Sequence, residues 1–449
     1  MPPPMSPIPV ARLSTDTPCR LRNATVPACL VDGAPPAAAA DSDGLLQLDL
    51  TLAGGRIAGI APAGPDGDSP EASSIDLDGG MVWPCFADVH THIDKGHIWP
   101  RRRNPDGTRA GALNATAIDR TANWSADDVR TRMDFALRCA WAHGTAAIRT
   151  HIDSTPPQDA ISWPVVREMR EEWAGRIALQ PSSLEVLGGF ADDGFAVSIA
   201  DRVRDAGGIL GAVLNIQENT DALLDKVIRL ALDRDLEIDF HVDEMTDPQA
   251  RSFDNIARAL IRNRYGRPVN VGHCCSLALR PADEVDRALD LAVEANLRVV
   301  SLPMCNMYLQ DRAPGRTPRW RGATILHEMK ARGIPVAVSS DNTRDPFYAY
   351  GDLDAVEVYT QATRIAHLDH PVGDWPMAIA RTPADTMGQG DVGRLKAGGP
   401  ADLVLFRARS YSEFLSRPQH DRAVLRAGIA IDTAPPDYRE LDSAVAKTR

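Results

Sequence analysis

The 449-residue chain is 44% hydrophobic and 24% charged, a mix that excludes intrinsic disorder, collagen and coiled coil as whole-chain descriptions. Its length accommodates one large domain beside a smaller one. A net charge of −12 argues against a nucleic-acid partner, because phosphate contacts need clustered Lys and Arg.

In chain order, residues 1–82 read as short strands broken by turns. Leu46-Gln47-Leu48-Asp49-Leu50-Thr51-Leu52 alternates with period two, Ala53-Gly54-Gly55-Arg56 is a tight turn, and Ile57 to Ile60 is the return strand. Ala34 to Gly44 and Pro62 to Ser74 carry loop composition. From residue 83 to 390, apolar strand-like runs alternate with amphipathic helical runs. The strand candidates are Phe86–His92, Ala146–His151, Ile177–Ser182, Ile209–Ile216, Leu236–Asp243, Val269–His273, Arg298–Leu302 and Pro335–Asp341. Helices are expected from Ser125, an N-cap with acids behind it, to His143, over Asp221–Leu232 and over Ala282–Ala295. The segment Gly96 to Trp124 lacks apolar periodicity and is expected to be a loop or lid, with His97 and Trp99 as secondary pocket candidates. The basic run Arg101-Arg102-Arg103 inside it reads as a solvated loop. Asp402 to Phe406 and Arg422 to Ile431 return to strand character. The expected class is α/β. A (β/α)8 TIM barrel spans 83–390, and a small β-sandwich domain is formed by both termini, 1–82 and 391–449.

Polar residues fall at the carboxyl ends of the strands, where such barrels place their chemistry. The first strand ends His90-Thr91-His92-Ile93-Asp94, and alternation puts both histidines on one face, able to share one divalent metal. Alone this motif also fits two solvated histidines. The fifth strand ends His241-Val242-Asp243-Glu244, the sixth at His273 and the eighth at Asp341. The order of these residues around one face carries the argument, since four of the eleven histidines would otherwise converge by chance.

This order resembles the amidohydrolase superfamily of metal-dependent hydrolases, over nearly the whole chain. Gly393-Arg394-Leu395-Lys396-Ala397-Gly398-Gly399-Pro400-Ala401-Asp402-Leu403 is similar to that family's return segment. Within it the chain looks most like the cytosine deaminase group, through Arg149-Thr150-His151-Ile152-Asp153, His241-Val242-Asp243-Glu244, the run from Asn306 to Arg312 and the run from Asp341 to Phe347. The resemblance implies that His90, His92, His241 and Asp341 ligate one metal, with Glu244 and His273 handling protons. Strand four, Gly211 to Ile216, lacks the lysine of dinuclear members, so a mononuclear site is expected. The chemistry supports these roles. A divalent ion brings the pKa of bound water from about 15.7 to about 7. Asp341 can also accept the proton of that water, Glu244 can protonate a ring nitrogen, and His273 can polarise the water or the developing oxyanion.

Departures from the group's pattern bear on the substrate. Aligning the acid beyond strand three with Glu185 puts Leu184 where cytosine deaminases carry an amide-reading glutamine; Gln180 lies close upstream if the gap moves. Asn342 stands where those enzymes have a second acid. Lys95 looks more like the branch that hydrolyses N-substituted aminotriazines, which lacks the acid at the Glu244 position, so the chain is a hybrid of two patterns. Phe347 is a candidate stacking residue or a rim packing residue. Asn306 and Gln310 read as loop-stabilising side chains and His151 as a structural strand-end residue. The expected function is a metal-dependent aminohydrolase acting on a nitrogen heterocycle, with weak or no activity on cytosine. The alternatives are hydrolysis of an amide or N-alkylamine on the same metal, and a non-catalytic barrel. The metal is expected to be zinc or iron, with manganese possible on the same ligands. The seven cysteines form no C-x-x-C pair, the start has no signal-peptide build, and no apolar run reaches the roughly 18 residues of a membrane span. A cytoplasmic protein with a small-molecule substrate, no nucleic acid and no membrane is expected, and family resemblance implies a homo-oligomer.

Overall fold

The computed structural model describes residues 8, 17–64, 73–214 and 219–445. The end of the fourth barrel strand, Asn215-Ile216, and most of the 62–74 and 1–10 segments lie outside them. In chain order the strands are β1 (Cys19–Pro27), β2 (Leu45–Ala53), β3 (Arg56–Pro62), β4 (Ser73–Asp76), β5 (Val82–Pro84), β6 (Phe86–Thr91), β7 (Thr145–Asp153), β8 (Ala178–Leu184), β9 (Leu210–Leu214), β10 (Ile238–Val242), β11 (Val269–His273), β12 (Leu297–Ser301), β13 (Val336–Val338), β14 (Leu403–Leu405), β15 (Ala423–Arg426) and β16 (Ile429–Ala430). They fall into two compact units. One comprises residues 1–87, 139–147 and 354–435; the other comprises 88–138, 148–353 and 436–449.

The first unit holds two four-stranded sheets, ordered β3-β2-β1-β4 and β16-β15-β14-β5. Alternation in β2 buries Leu46, Leu48, Leu50 and Leu52, and these join Leu403, Leu405 and Leu425 of the other sheet in one apolar core. Residues 422–431 are not one strand. Ala427 and Gly428 both take left-handed backbone angles, φ 47° and 75°, and fold β15 back onto β16. That pair of positive angles suits a two-residue hairpin turn. The Asp402 carboxylate, accepting from the Ala427 N–H at 2.7 Å, holds the turn.

In the second unit the parallel strands β9 to β13 form one sheet and β6-β7-β8 another. Two seams join them. Across the β8–β9 seam Ser182 pairs with Ile209: the Ser183 N–H donates to the Ile209 carbonyl at 3.0 Å, and the Ile209 N–H to the Pro181 carbonyl at 2.9 Å. The Asp341 N–H donates to the His90 carbonyl at 2.9 Å, closing β13 onto β6. The eight strands thus close on themselves as an α/β barrel. Amphipathic helices follow the strands, among them Thr220–Arg234 and Ala282–Glu294 where the sequence pattern puts them.

The segment 96–124 is more than loop. Helix α1 (Arg109–Asn123) fills half of it, capped by the Thr108 hydroxyl, and precedes α2 (Ala126–Ala142). Its buried face is Gly111, Ala112, Ala115, Thr116 and Asp119. These residues are too small or too polar to register as an apolar stripe. Nor is Arg101 solvated: its side chain is 5% exposed and it binds Asp119, Asp128 and the Ala444 carbonyl. No helix among the described residues is long and apolar enough to cross a membrane.

Candidate metal centre and active site

The inner face of the barrel is layered. Arg149, two residues before His151 on β7, donates to Asp239 at 2.9 Å and to the Gln180 amide oxygen at 3.1 and 3.2 Å. Asn270 donates to Asp239 as well, at 2.9 Å. Gln180 is therefore engaged in this polar layer, away from the amide-reading role left open for it. One strand step further on, His90, His151 and His241 converge with ring centroids 4.2 to 4.5 Å apart. One more step brings His92, whose Nε2 lies 3.2 Å from both His241 Nε2 and Asp341 Oδ1. Asp341 Oδ1 is 3.6 Å from His90 Nε2.

Local backbone builds this convergence. His273 and Asp341 adopt left-handed φ of 70° and 62° at their strand ends. Such angles cost a non-glycine residue roughly 1–3 kcal/mol and concentrate at functional sites. Gly272 makes room: a Cβ there would sit 2.7 Å from His90 Cε1.

The cluster fits a divalent cation. His90 Nδ1 and Nε2, His92 Nδ1, His241 Nδ1 and both Asp341 oxygens are buried without a hydrogen-bond partner. Buried polar atoms left unpaired cost about 1–3 kcal/mol each, so a site with this many calls for a ligand. Burial, and then crowding by one another, by His273 and by the Arg149 and Lys95 cations, hold the four clustered imidazoles well below the usual histidine pKa, which leaves them neutral. Burial and then the Glu244 carboxylate push Asp341 well up, a penalty that a cation between these groups reverses. Among the described residues, the possible ligand triads are His90, His92, Asp341 and His90, His151, His241. His151 thus stands among the potential ligands rather than at the margin. The alternation Arg149, His151, Asp153 in the Arg-Thr-His-Ile-Asp run was a signal for it.

Beside the cluster, Glu244 lies 3.7 Å from His273, and Asn306 Nδ2 bridges them at 3.4 Å to Glu244 Oε1 and 2.9 Å to His273 Nδ1. Arg109 on α1 donates from Nε to Glu244 Oε2 at 2.7 Å. Burial alone would raise the Glu244 pKa, but His273, Arg109 and Lys95 overcome it and hold the carboxyl below its usual value. Arg109 carries no local sequence signal, because its partner is 135 positions away.

Comparisons with known proteins give the family. The amidohydrolase family model matches residues 126–433. A pterin deaminase from Rhizobium rhizogenes is 54% identical over 425 residues, covering 95% of this chain and 96% of the relative. The chain belongs to the amidohydrolase family. It is a hydrolase of carbon–nitrogen bonds. An N-isopropylammelide isopropyl amidohydrolase from Pseudomonas sp. strain ADP is 26% identical over 75% of this chain and 82% of its own length. The fold is shared with 5-methylcytosine deaminase from Klebsiella pneumoniae, with a TM-score of 0.78 and 22% identity over 92% of this chain and 97% of that one. It is also shared with N-isopropylammelide isopropylaminohydrolase from Burkholderia multivorans, with a TM-score of 0.72 and 23% identity over 94% and 100%.

The remaining candidates of this amidohydrolase differ in what they have free. Leu184 ends β8, its backbone tied to Ser154. Glu185 accepts the Val186 N–H at 2.9 Å through Oε1, the Thr155 hydroxyl lies near the same carboxylate, and the buried Oε2 has no full hydrogen bond among the described residues. Asn342 is engaged at both ends, donating to Asp345 at 2.6 Å and accepting from the Cys305 thiol at 3.8 Å. Phe347 is buried with the Lys95 ammonium 5.7 Å from its ring centroid, and Lys95 donates to Asp153 at 2.8 Å. Gln310 accepts from Thr246, and its buried Nε2 is unpartnered. The His97 ring packs edge-on against Phe135, and the His97 backbone N–H donates to the Thr343 carbonyl, so this residue braces the loop after Asp341.

Proposed function

We propose that this amidohydrolase removes the exocyclic amino group of a pterin-type ring as ammonia. The chain is a metal-dependent deaminase of a nitrogen heterocycle; the observation that carries the pterin reading is the 54% identity, sustained over nearly the full length, to a pterin deaminase. In this reading His90, His92, His241 and Asp341 hold one divalent ion, zinc or iron first and manganese next, with His151 able to join them. When bound, the ion supplies a Lewis acid that acidifies water.

The protein groups divide the remaining work. Glu244, resting as a carboxylate under Arg109, accepts a proton from the attacking water at Oε1. It passes that proton to the ring nitrogen beside the carbon under attack. His273 donates to the oxygen that gains charge. Asp341 accepts the second proton of the water and returns it to the amino group, which leaves as ammonia. Phe347 offers a ring face, and Glu185 Oε2 and Gln310 Nε2 offer an acceptor and a donor for the polar edge of the substrate. Residues 83–390 carry this machinery, and 1–82 with 391–449 make the composite β domain. A cytoplasmic homo-oligomer is the setting proposed.

The test is ammonia release from pterins, cytosine and aminotriazines by purified protein loaded with zinc, iron or manganese. Pterin turnover well above that on cytosine is the expected result. Release of an alkylamine from an N-alkylated triazine, without ammonia from any pterin, would replace this reading with the aminotriazine-hydrolase one. Lys95 and the 26% relative favour that second reading.

A further inference from the structure

Outside the metal ligands, four side chains form a continuous chain from helix α1 into the site. Arg109 Nε donates to Glu244 Oε2 at 2.7 Å, Asn306 Nδ2 donates to Glu244 Oε1 at 3.4 Å, and the same Nδ2 faces His273 Nδ1 at 2.9 Å. Asn306 and His273 are 0% and 1% exposed. On the opposite edge of the imidazole, Nε2 is buried with no partner among the described residues.

The order of charges settles which atom of each group points where. Arg109 can only donate, so Glu244 Oε2 accepts. The other oxygen of that carboxylate also needs a donor, and the Asn306 amide has one only at its nitrogen end. Turning the amide over would press its carbonyl oxygen against Glu244 Oε1, two acceptors facing each other in a dry site. With Nδ2 so fixed, the His273 nitrogen it faces must accept. A neutral imidazole that accepts at Nδ1 carries its single proton at Nε2.

We propose that Arg109 and Asn306 are positioning residues that lock His273 as the Nε2–H tautomer, its one proton aimed into the site. The chemical use of that proton rests on the proposed deaminase reading, where it meets the oxygen that gains charge. The tautomer itself belongs to the resting protein. Arg109 acts by keeping Glu244 an acceptor, and Asn306 passes that preference to the ring.

The test is nitrogen-15 spectroscopy of histidine-labelled, full-length, zinc-loaded protein, with the His273 signals found by their loss in His273→Gln. The expected result is a protonated Nε2 and a bare Nδ1 at His273. In Asn306→Asp the new carboxylate draws the proton to Nδ1. In Asn306→Ala the ring populates both tautomers. In both variants kcat on the amine substrate falls roughly 10- to 100-fold with KM little changed, the scale of losing a residue that orients a ligand. Arg109→Lys keeps the wild-type ring signals, whereas Arg109→Met mixes them. A proton at Nδ1 in the wild type overturns the proposal, even if no variant folds. So does an undisturbed Nε2–H in Asn306→Ala. A correct tautomer without ammonia release from any heterocycle would instead sink the deaminase reading and leave the lock standing.

Discussion

Replacing Gly272 by Ala tests how tightly the metal cluster is built. The added Cβ would lie 2.7 Å from His90 Cε1 and 3.0 Å from Nδ1, against an optimum of about 3.5–4.0 Å for non-bonded carbons. His90 cannot retreat: it is fully buried, with the rings of His151 and His241 centred 4.2 and 4.4 Å away. Overpacking of this kind costs about 1–3 kcal/mol. The strain is relieved by moving the His90 ring off its ligating position, so the same energy comes off metal binding. At about 1.4 kcal/mol per decade that is a rise in Kd of roughly 5- to 140-fold. Competition with a coloured chelator measures the Kd directly. Gly59→Ala is the control, because its Cβ meets only Thr51 Cβ at 3.9 Å. If Gly272→Ala bound zinc as tightly as the wild type, His90 would not be a ligand held where the structure places it.

Other outcomes follow from the same geometry. Glu244→Gln is expected to retain the metal and lose roughly 10²- to 10⁴-fold in kcat, the contribution of a positioned acid–base group, as read by metal content beside steady-state kinetics. His241→Ala or Asp341→Ala is expected to lose both metal and activity; full metal occupancy in either would refute the ligand set. Chelation is expected to abolish ammonia release, and added zinc, iron or manganese to restore it. In the first unit, Arg422 grips Asp354 with bonds of 2.7 and 2.5 Å. Breaking that buried pair by Asp354→Ala should cost about 3–5 kcal/mol in denaturant unfolding. Burial raises the Asp354 pKa, but Arg422 and His143 outweigh it and the net direction is down. Its stabilisation is therefore present above the unfolded carboxylate value of about 3.9 and fades as pH falls below that. An acid-unfolding midpoint unchanged in Asp354→Asn would contradict this sign.

Much of the barrel was legible because buried parallel strands carry their own signature, continuous apolar runs ending in polar residues. The positions of His90, His92, His241, His273 and Asp341 follow from the strands alone. Helix α1 was not legible, since its packing face is alanine, glycine and threonine. The 427–428 turn was hidden because β15 and β16 read as one alternating run. Arg109 and Asn306 act through partners more than thirty positions away, and single-chain periodicity says nothing about such contacts. His151 is the instructive case: its alternation with Arg149 and Asp153 was visible, but it takes the pairing of β6 with β7 to set it beside His90 and the closed barrel to bring it to His241.

Helix α1 also ties the backbone that follows the metal motif to the acid–base carboxylate. The guanidinium that grips Glu244 rides on this helix, in the segment that directly follows the His90–His92 motif. Any displacement of α1 therefore withdraws the cation from the carboxylate in the same movement. The setting of Glu244 is thereby tied to the seating of a helix that contributes no ligand to the cluster.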